Sequence, residues 1–274
     1  LIVYNIGTTA GWDRELFVAA LQNIVKRELK PAVVNISVGW RHQVETKNKS
    51  ADEKRAEAAV KACVEHGISV VVAMGEYSAS SDLEWFPAVT EGVIAVGATD
   101  YNDLRFPDSD VGDHVWIAAP GEDILTVVNS DDFGSRSGTS FAAALVSAAV
   151  WLSVQADEDL RPAQIRQALG NSANSKRVSA GSPPDPRKGP NNNKWNDGVG
   201  CGRLDVPKFM TTVSPAAAAA LSDLRAAEFV DSRAGAEREV PTMVANEKPL
   251  NTAEGVVEPR KPDTDAGIST PGMA

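Results

Sequence analysis

The sequence predicts an α/β fold, a three-layer sandwich in which a mostly parallel sheet carries helices on both faces. Three observations predict it. Strand-like and helix-like segments alternate along most of the chain. Ile68–Ala73 is a continuous apolar, β-branched run, the pattern of a parallel strand covered on both faces. A long apolar, Ala-rich helix pattern follows Ser137-Gly138-Thr139-Ser140 and supplies material for packing on such a sheet.

The elements follow in order. Leu1-Ile-Val-Tyr-Asn-Ile6 is an apolar, strand-like run, and Gly7 to Gly11 is a loop. Asp13 to Leu29 places Leu16, Phe17, Ala20, Leu21, Ile24 and Val25 at helical spacing. Pro31 punctuates, and Ala32 to Val38 is a short apolar strand ending at Gly39, so strand, helix and strand form one βαβ unit. The polar stretch Trp40 to Lys49 is expected to be loop. Ser50-Ala-Asp-Glu53 is a capping-box signature for a helix running to about Glu65, with Ala56, Ala59, Val60 and Cys63 on one face. His66-Gly67 ends that helix, and Ile68–Ala73 completes a second βαβ unit.

Tyr77 to Thr90 is expected to be loop, and Gly92 to Ala98 a strand. Thr99 to Asp113 is polar, with Asp100, Asp103, Asp108, Asp110 and Asp113. Carboxylates are the ligands that Ca²⁺ takes, but the EF-hand spacing is absent, and a solvated loop is expected. Val115 to Ala118 and Asp123 to Val128 read as short strands around Pro120-Gly121. After the Ala-rich helix, Arg161-Pro162 opens a shorter one over Ala163 to Leu169, and 171–200 is a loop rich in Ser, Pro, Asn and Gly.

Composition bounds the class. With 274 residues, 43% of them apolar, the chain can build one sizeable core. A net charge of −10 and the lack of a basic patch argue against a nucleic-acid partner. No run of about eighteen apolar residues is visible, so no membrane partner is expected. Cys63 and Cys201 lack metal-ligand spacing and are expected as small buried hydrophobes, with a single bridge between them left open. The start at Leu1, inside a strand-like run, is expected to mean an internal or processed portion whose signal peptide or pro-segment lies upstream. Beyond Val213 the composition changes: 214–230 reads as a capped helical extension, and 231–274 as a disordered tail.

Ser140 carries the chemistry. A Gly and two small hydroxylated residues run directly into the Ala-rich helix, so Ser140 sits where backbone N–H groups lack helical partners. A serine there can attack with its hydroxyl while its own N–H helps hold a developing oxyanion. The plain alternative is a Ser/Thr cap on a buried helix.

Ser137-Gly-Thr-Ser140-Phe-Ala-Ala resembles the serine motif of the subtilisin-like serine proteases, the subtilases. Val33-Val-Asn-Ile-Ser-Val-Gly39, Val70-Val-Val-Ala-Met-Gly75 and Val93-Ile-Ala-Val-Gly-Ala-Thr-Asp100 resemble further family segments in the right order. Ile117-Ala-Ala-Pro-Gly121 leads toward the serine. The resemblance covers roughly residues 1 to 213 and implies the C-terminal portion of a peptidase domain whose N-terminal strands are missing from this chain. It implies a serine endopeptidase with Ser140 as nucleophile, and an aspartate and a histidine upstream of the chain; His42, His66 and His114 lie in contexts unlike the family's catalytic histidine. Ser37, Val38 and Gly39 would pair with an extended peptide or protein substrate, and Ala73, Met74 and Gly75 would wall a pocket.

Two positions depart from the family. Glu76 stands where subtilases carry the asparagine that donates to the oxyanion, and an ionised carboxylate only accepts. Loss of that donor costs about 10²–10³ in turnover in subtilisin itself. Ala144 stands where the family commonly has proline. Gly200-Cys-Gly-Arg-Leu-Asp-Val206 resembles the closing strand-like segment. The family implies secretion, and it admits calcium, although no cofactor motif is present. The rival reading is a degenerate subtilase domain that binds peptides or partners without cutting them.

Overall fold

In a computed structural model the described residues are 1–9, 11–27, 32–43, 49–76, 83–128, 132–175 and 198–214. The strands are β1 (Gly7–Thr8), β2 (Gly11–Trp12), β3 (Val33–Ile36), β4 (Trp40–Gln43), β5 (Ser69–Ala73), β6 (Leu83–Phe86), β7 (Ile94–Thr99), β8 (Val115–Pro120), β9 (Ile124–Val127) and β10 (Phe133–Arg136). The helices are α1 (Arg14–Lys26), α2 (Ala51–Glu65), α3 (Thr139–Ala156), α4 (Pro162–Ser172) and α5 (Val206–Val213).

Four strands form the central sheet in the order β3-β5-β7-β8, every neighbouring pair parallel. Alternation along β5 sends Val70 and Val72 into one core, with Phe17 and Leu21 of α1 and Val60 and Cys63 of α2. Val71 and Ala73 enter the other, with Ala142, Val146 and Val150 of α3 and Ile165 and Leu169 of α4. Burial on both faces is why β5 and β7 read as unbroken apolar runs. The architecture is the expected α/β sandwich.

Helix starts follow their caps. Asp13 accepts from Leu16 N–H at 2.9 Å to open α1. Ser50 and Glu53 close the capping box of α2 at 3.2 and 2.8 Å. Pro162 opens α4, and Asp205 caps α5 through Lys208 N–H. Cys63 and Cys201 form no disulfide. Burial pushes the Cys63 thiol up to about 11, as befits a small core residue.

Several expectations are corrected. Leu1–Ile6 forms no strand, because nothing among the described residues pairs with it, and Val3 is 80% exposed. The polar stretch after Gly39 begins with β4, which pairs antiparallel with β6, itself inside the expected 77–90 loop. An aromatic cluster explains that long-range strand pair: Trp40 packs against Trp12, Phe17 and Phe86 at centroid distances of 5.5, 6.2 and 4.3 Å. β9 gains an antiparallel partner, β10, that periodicity does not reveal. The closing segment makes isolated bridges at Gly200 and Arg203 and then turns into α5.

The acidic loop is not simply solvated. Asp110 is buried and paired with Arg41 at 2.9 Å, and Asp103 with Arg203 at 2.6 Å. No three acidic, His or Cys side chains among the described residues converge as a metal site. α3, at 18 residues and mean hydropathy 1.5, is long and apolar enough by length and composition to cross a membrane. Here its buried face packs on the sheet. The expected 214–230 helix and 231–274 tail fall, but for Ser214, outside the described residues.

Candidate active site

The carboxyl ends of β3 and β5 and the N-terminus of α3 meet at one place, the usual position for chemistry in an open α/β sheet. Gly138 caps α3 with φ of 147°, a conformation suited to glycine, and makes no side-chain cap bond of its own. Its N–H donates to Gly121 O at 2.7 Å, which joins the Pro120-Gly121 turn to the serine loop. A Cβ on Gly121 would lie 2.8 Å from Gly138 O, so the close approach needs glycine at that turn too.

Glu76 supplies the missing cap. Thr139 N–H donates to Glu76 Oε1 at 2.6 Å, and the Thr139 hydroxyl reaches the same oxygen at 3.2 Å. A carboxylate at a helix N-terminus is stabilised by the unpaired N–H groups and the macrodipole. The hydroxyl of Thr139 also accepts from Gly75 N–H at 3.1 Å, tying the end of β5 to the first turn of α3. A Cβ at Gly138 would collide with Glu76 Oε1.

Ser140, half-buried, is the second residue of α3. Its carbonyl accepts from Ser37 Oγ at 3.2 Å, and Ser37 in turn accepts from Asn35 Nδ2 at 3.0 Å. Ser37, Gly75, Glu76 and Ser140 are thus brought together through direct bonds or through Thr139. Val38 and Gly39 continue from Ser37, both half-buried, and a Cβ on Gly39 would clash with Trp85 and with Phe86 O. Ala73 and Met74 point into the two opposite cores. Gly75, with φ of 100°, passes over Asp110, whose Oδ2 lies 2.7 Å from where a Cβ would stand. Asp110 and its Arg41 are supports that sequence reasoning overlooks, because the acidic loop shows no hint of its partner.

Two of the three histidines, His66 and His114, lie at the opposite end of the sheet by topology. His66 closes α2 just before β5 begins, its Nδ1 2.7 Å from Ala62 O, and from Ser69 the chain then runs about 20 Å to Gly75. His114 sits just before β8, at the same far end of the parallel sheet. His42 lies in β4, and its side chain is outside the described set.

Comparison with known proteins gives the family and the fold. Subtilisin BL of Lederbergia lenta is 36% identical over 119 residues, 43% of this chain and 44% of that protein. The halolysin-like extracellular serine protease Nep of Natrialba magadii is 34% identical over 88 residues, 32% of this chain and 16% of that one. These matches span less than half the length of the relatives. Among solved structures, a prenylagaramide maturation protease, PagA, superposes with a TM-score of 0.59 at 22% identity, covering 77% of this chain and 71% of its own. A cold-adapted subtilisin-like serine proteinase gives 0.56 at 24%, covering 64% and 61%. Both show the shared fold. The profile of the Subtilase family matches residues 1–202, and the chain belongs to that family.

Proposed function

We propose that this chain is the nucleophile-bearing part of a serine endopeptidase, with Ser140 attacking the carbonyl of a peptide or protein substrate. The observation that carries the reading is the placement of Ser140 in the first turn of α3, bonded through its carbonyl to the end of β3. Its hydroxyl would give its proton to a general base as Oγ bonds the carbonyl carbon, the protonated base would pass that proton to the leaving amine as the C–N bond breaks, and water would then release the acid. On this reading the base and its orienting carboxylate would come from upstream polypeptide, since His66 and His114 lie at the other end of the sheet and the His42 side chain is outside the described residues. Substrate would lie extended along Ser37-Val38-Gly39 by backbone pairing. Secretion is part of the proposal, supported by the extracellular relative.

In protein carrying that base, Ser140→Ala is expected to lower peptide hydrolysis by about 10⁶, the order known for subtilisin's serine. It should also abolish labelling by a fluorophosphonate. Unchanged turnover overturns the assignment.

A second reading rests on Glu76, whose carboxylate accepts where the family donates. On it, the domain holds a peptide without cutting. Peptide binding with no labelling of Ser140, even beside a complete triad, would favour it.

A further inference from the structure

β3 faces two helix layers. Ile36 enters the core shared with α1 and α2, and Val33 packs against the α3 core, so strand alternation turns Val33, Asn35 and Ser37 toward α3. Asn35 is the one polar residue of β3. It is exposed where it lines a cavity of about 990 Å³ that β3, Leu1–Ile6 and α3 share.

Both ends of its amide are engaged. Ser147 Oγ donates to Asn35 Oδ1 at 3.0 Å, Asn35 Nδ2 donates to Ser37 Oγ at 3.0 Å, and Ser37 Oγ donates to Ser140 O at 3.2 Å. The last bond fixes the direction of the whole relay. A backbone carbonyl only accepts, so the single O–H of Ser37 is spent on Ser140 and a lone pair faces Asn35. Only the NH₂ side of the amide can meet that lone pair, which leaves Oδ1 for the Ser147 hydroxyl.

The relay begins and ends on one helix. Ser140 and Ser147 lie seven residues apart in α3, two turns or about 10 Å along a single face. Asn35 and Ser37 stand two residues apart on the side of β3 that meets α3, about 7 Å along the strand direction. β3 is therefore bonded to α3 at two levels, and the helix can neither roll nor slide along the strand without breaking a bond. Ser147 is buried, so its hydroxyl has the most to lose when its acceptor is removed.

We propose that Asn35 and Ser147 are positioning residues, which act through Ser37 to fix the backbone of Ser140 against the end of β3. The relay ties Ser140 to Ser37-Val38-Gly39, where substrate would pair, and so sets the distance between the attacking oxygen and the bound carbonyl. A misplacement of about 1 Å at such a site can cost about 10²-fold in rate. This catalytic consequence rests on the nucleophile reading above, whereas the relay itself does not.

The test has a structural arm and a kinetic arm. Ser140-Phe141 is the only Ser-Phe pair in the 274 residues, so carbonyl-¹³C serine combined with ¹⁵N phenylalanine gives one NMR signal, that of the Ser140 carbonyl. Ser37→Ala should move that signal upfield, as loss of a hydrogen bond to the carbonyl does, and Asn35→Leu should move it the same way. Asn35→Asp is the sharper probe: it keeps an acceptor for Ser147 but also accepts from Ser37, and so draws the O–H away from Ser140. It should displace the signal as far as Ser37→Ala, and Ser147→Ala should displace it less. In triad-complete protein, Ser37→Ala and Asn35→Leu should each lower kcat about tenfold, the worth of about one hydrogen bond. KM should change less than about twofold, because substrate pairs with backbone that these variants keep. The double variant should fall no further than Ser37→Ala alone, since both changes act through one bond.

A Ser140 signal unmoved in Asn35→Asp overturns the proposal, as does a raised KM at constant kcat, or losses that add in the double variant. Where Asn35→Leu does not fold, Asn35→Asp and Ser147→Ala carry both arms. A displaced signal together with hydrolysis that survives Ser140→Ala leaves the relay standing and removes the nucleophile reading instead.

Discussion

At the residue scale, Glu76 decides how well the site can work. Its carboxylate is spent as an acceptor for Thr139, one residue before the nucleophile, so negative charge already occupies the helix end that should receive an oxyanion. Asparagine at 76 keeps an acceptor oxygen for Thr139 and adds an N–H₂ donor. In triad-complete protein, Glu76→Asn is expected to raise kcat by about 10² with little change in KM, because the gain appears only in the transition state. Steady-state kinetics on a peptide substrate check this, and an unchanged kcat would place the oxyanion elsewhere. Ser140 and the unusual Glu76 were both readable from the sequence, since each sits in a local motif. Their link through Thr139 was not, because 63 residues separate Glu76 from Thr139. Nor was the Arg41–Asp110 pair beneath Gly75, which joins β4, polar in sequence, to the acidic loop.

At the scale of elements, legibility follows local chemistry. α1, α2 and β5 announced themselves through caps and apolar spacing, and their bounds fell within a few residues of expectation. β4 and β6 did not, because the tertiary aromatic cluster around Trp40 and Phe86 outweighs the polar composition of that stretch. β10, Phe-Gly-Ser-Arg, has a half-buried glycine and otherwise exposed residues, and it is strand only because β9 pairs with it. The two best-defined helix starts use different devices. α2 carries its own capping box, whereas α3 borrows Glu76 from the end of β5. Ser50→Ala should therefore cost about 1 kcal/mol of stability without touching the site. In urea the midpoint should fall with m unchanged, and in triad-complete protein fluorophosphonate labelling of Ser140 should be unaffected. A loss of labelling would show α2 coupled to the site in a way its position does not suggest.

At the scale of the whole molecule, two large cores pack on the two faces of the central sheet among the described residues. The cores on either face of β5 and β7 are fully formed, with Val70, Val71, Val72 and Val96 all buried. The β3 side is different: Leu1, Ile2 and Val3 are exposed, and Trp151 is 49% exposed beside the cavity. Apolar surface of that extent costs stability, because burial of each such side chain is worth about 1.5–3 kcal/mol.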